Sequence, residues 1–140
     1  SIGANINTVP VLDLRIKGAS NVIGDRSFSA DPKIVSRIGD YCIKYYHENG
    51  IGTVIKHIPG HGLAKVDSHN FTPIINKKIN YLIKKDFIPF KNKKTFFVFD
   101  ASTEGFSTIH QEPYYDMLYH NAKIYGVDPE RIFFFSGFFD

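Results

Sequence analysis

Short runs rich in β-branched and aromatic residues, at 5–12, 53–57, 95–99 and 131–135, alternate with stretches whose apolar residues recur at helical spacing. This alternation constrains the fold more than any other feature of the sequence. Strands joined by helices lie parallel with right-handed crossovers, and functional loops then follow the C-terminal ends of the strands. An α/β domain built on a parallel sheet is therefore the expectation.

The helix after the first strand is the most sharply marked. Asp31 stands at the N-cap and Pro32 at the first helical position. Ile34, Val35, Ile38, Cys42, Tyr45 and Tyr46 then form an apolar stripe that ends at Gly50. A second helix is predicted over 76–87. A third, opened by Pro113, carries Tyr115, Leu118, Tyr119 and Ala122 before Gly126 stops it. Asp13 and Asp100 close the first and third strands.

With 140 residues the chain has the length of one ordinary domain. Its opening Ser-Ile-Gly-Ala, with no methionine and a strand almost at once, suggests a fragment or a processed chain. The net charge is only +3, and the excess lies in Lys77, Lys78, Lys84, Lys85, Lys91, Lys93 and Lys94, read as a solvated helix face and loop. Nucleic acid is not an expected partner. Single Cys42 excludes an internal disulfide and falls on the apolar stripe, as a buried small hydrophobe would, which suits a reducing, cytoplasmic compartment. Runs such as 133–135 are too short to cross a bilayer, so no membrane association is expected.

The densest chemistry is Lys56-His57-Ile58-Pro59-Gly60-His61-Gly62, followed by Asp67-Ser68-His69. Three histidines, a lysine and an aspartate leave one strand end together, in a loop that glycine and proline allow to turn sharply. In extended chain Asp67 and His69 project to the same side. A carboxylate there would fix the imidazole tautomer and make His69 a competent proton donor and acceptor near neutral pH; the alternative is an Asx-type turn with an exposed histidine. In the loop after the first strand, Gly24-Asp25-Arg26-Ser27-Phe28 carries a guanidinium suited to bidentate contacts. Two readings of Arg26 stand open: a ligand contact, or a structural ion pair with Asp13 or Asp25.

Pro10-Val11-Leu12-Asp13, Ile23-Gly24-Asp25-Arg26-Ser27-Phe28, the Lys56 to Gly62 run and Asp67-Ser68-His69, in this order and spacing, resemble the bacterial glycoside hydrolase family 3 beta-N-acetylglucosaminidases (beta-hexosaminidases) of cell-wall recycling. The resemblance covers about residues 1–95, and Asp86-Phe87-Ile88-Pro89-Phe90 extends it. It implies a (β/α)8 TIM barrel, of which this chain would form a partial, TIM-barrel-like fragment with about four parallel strands and three helices. Residues 96–140 would be an unrecognised β-α-β tail packed on the same domain. The resemblance also implies retaining hydrolysis of N-acetylglucosamine-containing saccharides without a cofactor or metal. Arg26, Lys56 and His57 would then be substrate-binding, His69 the catalytic acid/base and Asp67 its orienting partner. A histidine donor departs from the two-carboxylate scheme of most retaining enzymes, but its task is the same.

Toward the C-terminus the resemblance stops. Where the family nucleophile is an aspartate in a Ser-Asp pair, Phe134-Phe135-Ser136-Gly137 stands here, and the usual Ala-His is replaced by Asp100-Ala101-Ser102. Of Asp100, Glu104 and Asp140, the carboxylates that could be asked to replace the nucleophile, Asp100, at a strand end, is the best, with a cap or turn role as its alternative, while His110 reads as an exposed loop residue. Covalent catalysis has no first step without a nucleophile, so this chain is expected to be inactive or far slower than a complete family member. Two other readings compete: a non-catalytic remnant, and a metal-dependent hydrolase in which His57, His61, Asp67 and His69 hold a divalent ion. An open part-barrel would also leave strand edges exposed, inviting self-association.

Overall fold

The computed structural model describes residues 3–58, 61–67, 70–71, 74–100 and 132–135; the side chains of 58, 96–100 and 132–135 are outside that description. The predicted third helix, the Ser136-Gly137 site, Glu104, His110 and Asp140 lie outside the described residues. Four strands, β1 (Ile6–Asn7), β2 (Gly52–Ile58), β3 (Phe96–Asp100) and β4 (Ile132–Phe135), form a sheet of order β1-β2-β3-β4. Every pairing is parallel. Spatial order equal to chain order, with no reversal, is the winding of a barrel wall rather than of a doubly wound open sheet.

The first strand is much shorter than its sequence pattern suggests. Pro10 has no N–H to give the ladder, and pairing resumes only as an isolated parallel bridge between Val11 and Lys56. There Leu12 N donates to Lys56 O at 2.8 Å. Between β2 and β3 the register shifts: β2 advances from Ile55 to Ile58 while β3 advances from Phe97 to Phe99, so β2 carries an extra residue at Lys56-His57. At the other end of β2, His47 Nε2 lies 3.0 Å from Thr53 Oγ1, which lies 2.5 Å from Thr95 Oγ1. Thr95 Oγ1 also donates to the Thr53 carbonyl. With that hydroxyl proton committed, the chain of donors runs from His47 Nε2–H through Thr53 Oγ–H to Thr95.

Helix α1 (Pro32–Glu48) begins as its sequence dictates: the Asp31 carboxylate accepts from Lys33 N at 2.8 Å and from Ile34 N at 3.4 Å, with Pro32 in the first turn. Gly50, with φ +73°, ends the run. The buried stripe differs from the one read in the sequence. Val35, Gly39 and Ile43 are buried, whereas Ile34 and Tyr45 are exposed. Gly39 is the reason, because a Cβ there would lie 2.7 Å from Leu12 Cδ2; the helix approaches the first strand over its glycine. Cys42 is half-buried.

The predicted 76–87 helix is reduced to α2 (Ile79–Lys84), followed by a one-turn 3-10 helix at Ile88–Phe90. Phe90 from that turn joins Leu12, Leu14, Val35, Ile43 and Ile55 in the core. Lys93 corrects the reading of a wholly solvated lysine group. It is buried, and its Nζ donates to Asp40 Oδ1 at 2.6 Å, Ser36 Oγ at 2.9 Å and Ser36 O at 3.1 Å, tying the segment before β3 to α1. No helix among the described residues is long and apolar enough to cross a membrane.

Candidate active site

Three segments meet at the C-terminal ends of the first strand and β2. Asp13 follows the core residue Leu12 and is 1% exposed, buried by the position of its strand rather than by its own chemistry. Its Oδ2 accepts two hydrogen bonds from one residue, His57 N at 3.0 Å and His57 Nδ1 at 2.7 Å. Lys56 precedes this histidine across a cis peptide bond and sends Nζ toward Thr8 Oγ1 at 3.4 Å. Burial lowers the proton affinity of Lys56, as does the nearby Arg26 guanidinium, while the Asp13 carboxylate opposes both. The rim thus gathers two cations, an imidazole and one buried carboxylate.

Arg26 ends a one-turn 3-10 helix, Gly24–Arg26, and its Nη2 donates to the Val22 carbonyl at 2.7 Å. Neither ion pair considered from the sequence forms: Asp13 takes His57, and Asp25 pairs with Arg15 at 3.1 Å on the surface. The loop bearing Arg26 is laced to the strand end. Ser27 Oγ donates to Asp13 O at 2.6 Å, and Arg15 N to Ser29 O at 2.9 Å.

Beyond β2 the chain makes a one-turn 3-10 helix, His61–Leu63, buried at His61 and Gly62. The His61 and His57 rings are 5.1 Å apart between centroids, tilted by 44°. Gly62 rests directly on the backbone of Leu14. A Cβ there would overlap Leu14 O, and would lie 2.9 Å from Leu14 N and 3.3 Å from Leu14 C. Ser20 N donates to Ala64 O at 2.7 Å, joining this loop to the preceding one. Asp67 follows, half-buried, with its carbonyl accepting from Asn70 N at 3.1 Å and Phe71 N at 3.0 Å. Ser68 and His69 lie outside the described residues.

Of the residues singled out from sequence, Lys56, His57 and Arg26 are therefore brought together, and Asp67 is placed on the loop leaving the same strand end. Asp13 was missed as a site residue. Its signal was present, a carboxylate closing an apolar strand, but nothing in the spacing tells that it faces a residue of the next strand. Among the described residues no three His, Cys, Asp or Glu side chains are grouped to hold a metal ion.

Similarity to known proteins bears on this arrangement. The glycosyl hydrolase family 3 N terminal domain matches residues 1–94. A beta-hexosaminidase of Aromatoleum aromaticum is 35% identical over 91 residues, covering 65% of this chain and 25% of that protein. NagZ from Neisseria gonorrhoeae, in a crystal structure with N-trifluoroacetyl-D-glucosamine, is similar with a TM-score of 0.65 at 33% identity, over 72% of this chain and 30% of that one. LpqI of M tuberculosis is alike in fold over 91% of this chain and 39% of that one, with a TM-score of 0.67 at 23% identity. The family 3 N-terminal domain is TIM-barrel-like in such neighbours. The chain spans about a quarter of the length of the curated relatives it matches.

Proposed function

The chain belongs to glycosyl hydrolase family 3 through its N-terminal domain, and from that premise we propose that it is a glycosidase module of the beta-N-acetylhexosaminidase type. It acts on, or binds, the N-acetylglucosamine units of cell-wall saccharides in the cytoplasm. The observation that carries this reading is the cluster of Lys56, His57 and Arg26 around the buried Asp13 at one strand end. Donors from Lys56 and Arg26 and the ring of His57 suit sugar hydroxyls and an N-acetyl carbonyl. His69 serves as general acid/base, oriented by Asp67, on a loop whose base is fixed by Gly62 and Ala64.

On the reading that Ser136-Gly137 stands where the family has its Ser-Asp pair, turnover is expected to be far slower than in a complete family member, with binding retained. Calorimetry with N-acetylglucosamine and an aryl N-acetylglucosaminide assay test the two halves separately. Saturable binding that weakens about tenfold or more in Lys56→Ala is expected; no binding by the folded chain refutes the reading. Full turnover that disappears in Asp100→Asn would make Asp100, which ends β3, the nucleophile.

A further inference from the structure

We infer that Asp13 is a positioning residue that holds the His57 imidazole in its Nδ1–H tautomer, so that Nε2 faces the site as a hydrogen-bond acceptor and selects a ligand hydroxyl able to donate. The inference rests on the sugar-binding reading above and adds to it a residue and a rule of selection.

The geometry is specific on the point. One oxygen, Asp13 Oδ2, takes both the main-chain N–H of His57 at 3.0 Å and its Nδ1 at 2.7 Å. An oxygen already accepting a backbone N–H meets Nδ1 as an acceptor, which places the ring proton on Nδ1 and the lone pair on Nε2. The main-chain bond also fixes where the ring starts, so the carboxylate grips His57 at two points and sets both its tautomer and its orientation. The His57 side chain is 14% exposed against 1% for Asp13, so what the pair offers to solvent is the ring.

The surroundings make the lone pair consequential. Lys56 and Arg26 carry only donors, and both lie close enough for Arg26 to disfavour the charged form of Lys56. Of these three groups His57 Nε2 alone accepts. A hydroxyl that accepts from Lys56 while donating to Nε2 satisfies both, whereas a fluorine or a methoxy group in the same place leaves Nε2 without a proton. Asp13 Oδ1 is buried and has no hydrogen-bond partner among the described residues, so the two bonds to His57 are made by Oδ2 alone.

The test begins without sugar. Long-range proton–nitrogen correlation spectra of the intact chain, recorded where imidazoles are neutral, report each histidine's tautomer, and His57 is assigned by the signal lost in His57→Gln. The expected result is the Nδ1–H form for His57; a dominant Nε2–H form overturns the inference with no variant needed. Asp13→Ala, checked for folding by circular dichroism, is expected to lose that preference. Asp13→Asn keeps an acceptor oxygen and is expected to retain it, a rescue that a purely structural loss of charge would not give.

Calorimetry with N-acetylglucosamine and its single-position deoxyfluoro analogues then reads the selection rule. One analogue is expected to bind about tenfold or more weakly than the parent sugar, and that gap is expected to close in folded Asp13→Ala. Equal binding of all analogues by the wild-type chain overturns the selection. Failure of the parent sugar to bind refutes the glycosidase reading instead, while the tautomer measurement still decides the role of Asp13.

Discussion

Replacing Gly62 with alanine adds one methyl group where no space exists. The new Cβ would overlap the Leu14 carbonyl oxygen and lie 2.9 Å from Leu14 N, and these are backbone atoms of the buried first-strand segment rather than the end of a flexible side chain. Relief requires that the His61–Leu63 turn lift away. Overpacking of this kind costs about 1–3 kcal/mol, and lifting the turn loosens the 2.7 Å bond from Ser20 N to Ala64 O, worth about 0.5–1.5 kcal/mol. The expected destabilisation is about 2–4 kcal/mol, a large part of the 5–15 kcal/mol typical of a domain. Urea unfolding of the purified variant measures it directly. Gly52→Ala is the control, because its Cβ would meet only Ile6 Cγ1 at 3.4 Å and the Asn5 carbonyl at 3.6 Å, and its cost is expected within about 0.5 kcal/mol. A Gly62→Ala chain as stable as the control would refute the close approach and, with it, the claim that this glycine seats the loop bearing Asp67.

Three further outcomes are expected. A double-mutant cycle of Lys93→Ala and Asp40→Ala should give a coupling of about 1 kcal/mol, modest because Asp40 is 63% exposed while Lys93 is buried; additivity would show the bond idle. Lys56 has a folded-state pKa below its ordinary 10.5, so the unfolded chain binds its proton more readily, and stability from this group rises with pH from the lowered value up to 10.5. Urea midpoints measured across that range should rise less steeply in Lys56→Met than in wild type, and parallel curves would contradict the shift. Among the described residues no strand covers the outer edge of β1 or β4, so light scattering at micromolar concentration should reveal association or loose packing, against which a monodisperse, fully exchange-protected monomer would stand.

Local chemistry was legible where one residue decides it. Asp31, Pro32 and Gly50 give the bounds of α1 because a cap, a fixed φ and a left-handed φ each act on their own backbone. Strand–helix alternation likewise led to parallel pairing, since crossover handedness leaves few other choices. What escaped was set by contacts between distant segments. Gly39 carries no hydrophobic signal, yet it lies on the buried stripe because Leu12 needs the space. Lys93 reads as solvated until α1 supplies Ser36 and Asp40. The same holds at the site, where Lys56 and His57 stood out by type and spacing, while the role of Asp13 depends on a neighbour 44 residues away.

The two ends of β2 are built to different tolerances. At one end the hydroxyls of Thr53 and Thr95, with His47 behind them, clamp β2 to β3 side by side. At the other, three residue steps on β2 are matched to two on β3. With the first end clamped, the surplus cannot be shared along the strand and collects at Lys56-His57. A regular strand would turn two consecutive side chains to opposite faces of the sheet, so one would be lost to the helix side. The local offset works like a vernier: it shifts the alternation by a fraction of a repeat, and lets neighbours in sequence serve the same opening. Loosening this pair, whose Thr53 lies three residues before Lys56 on β2, would let the offset wander and blur the aim of both side chains without touching either.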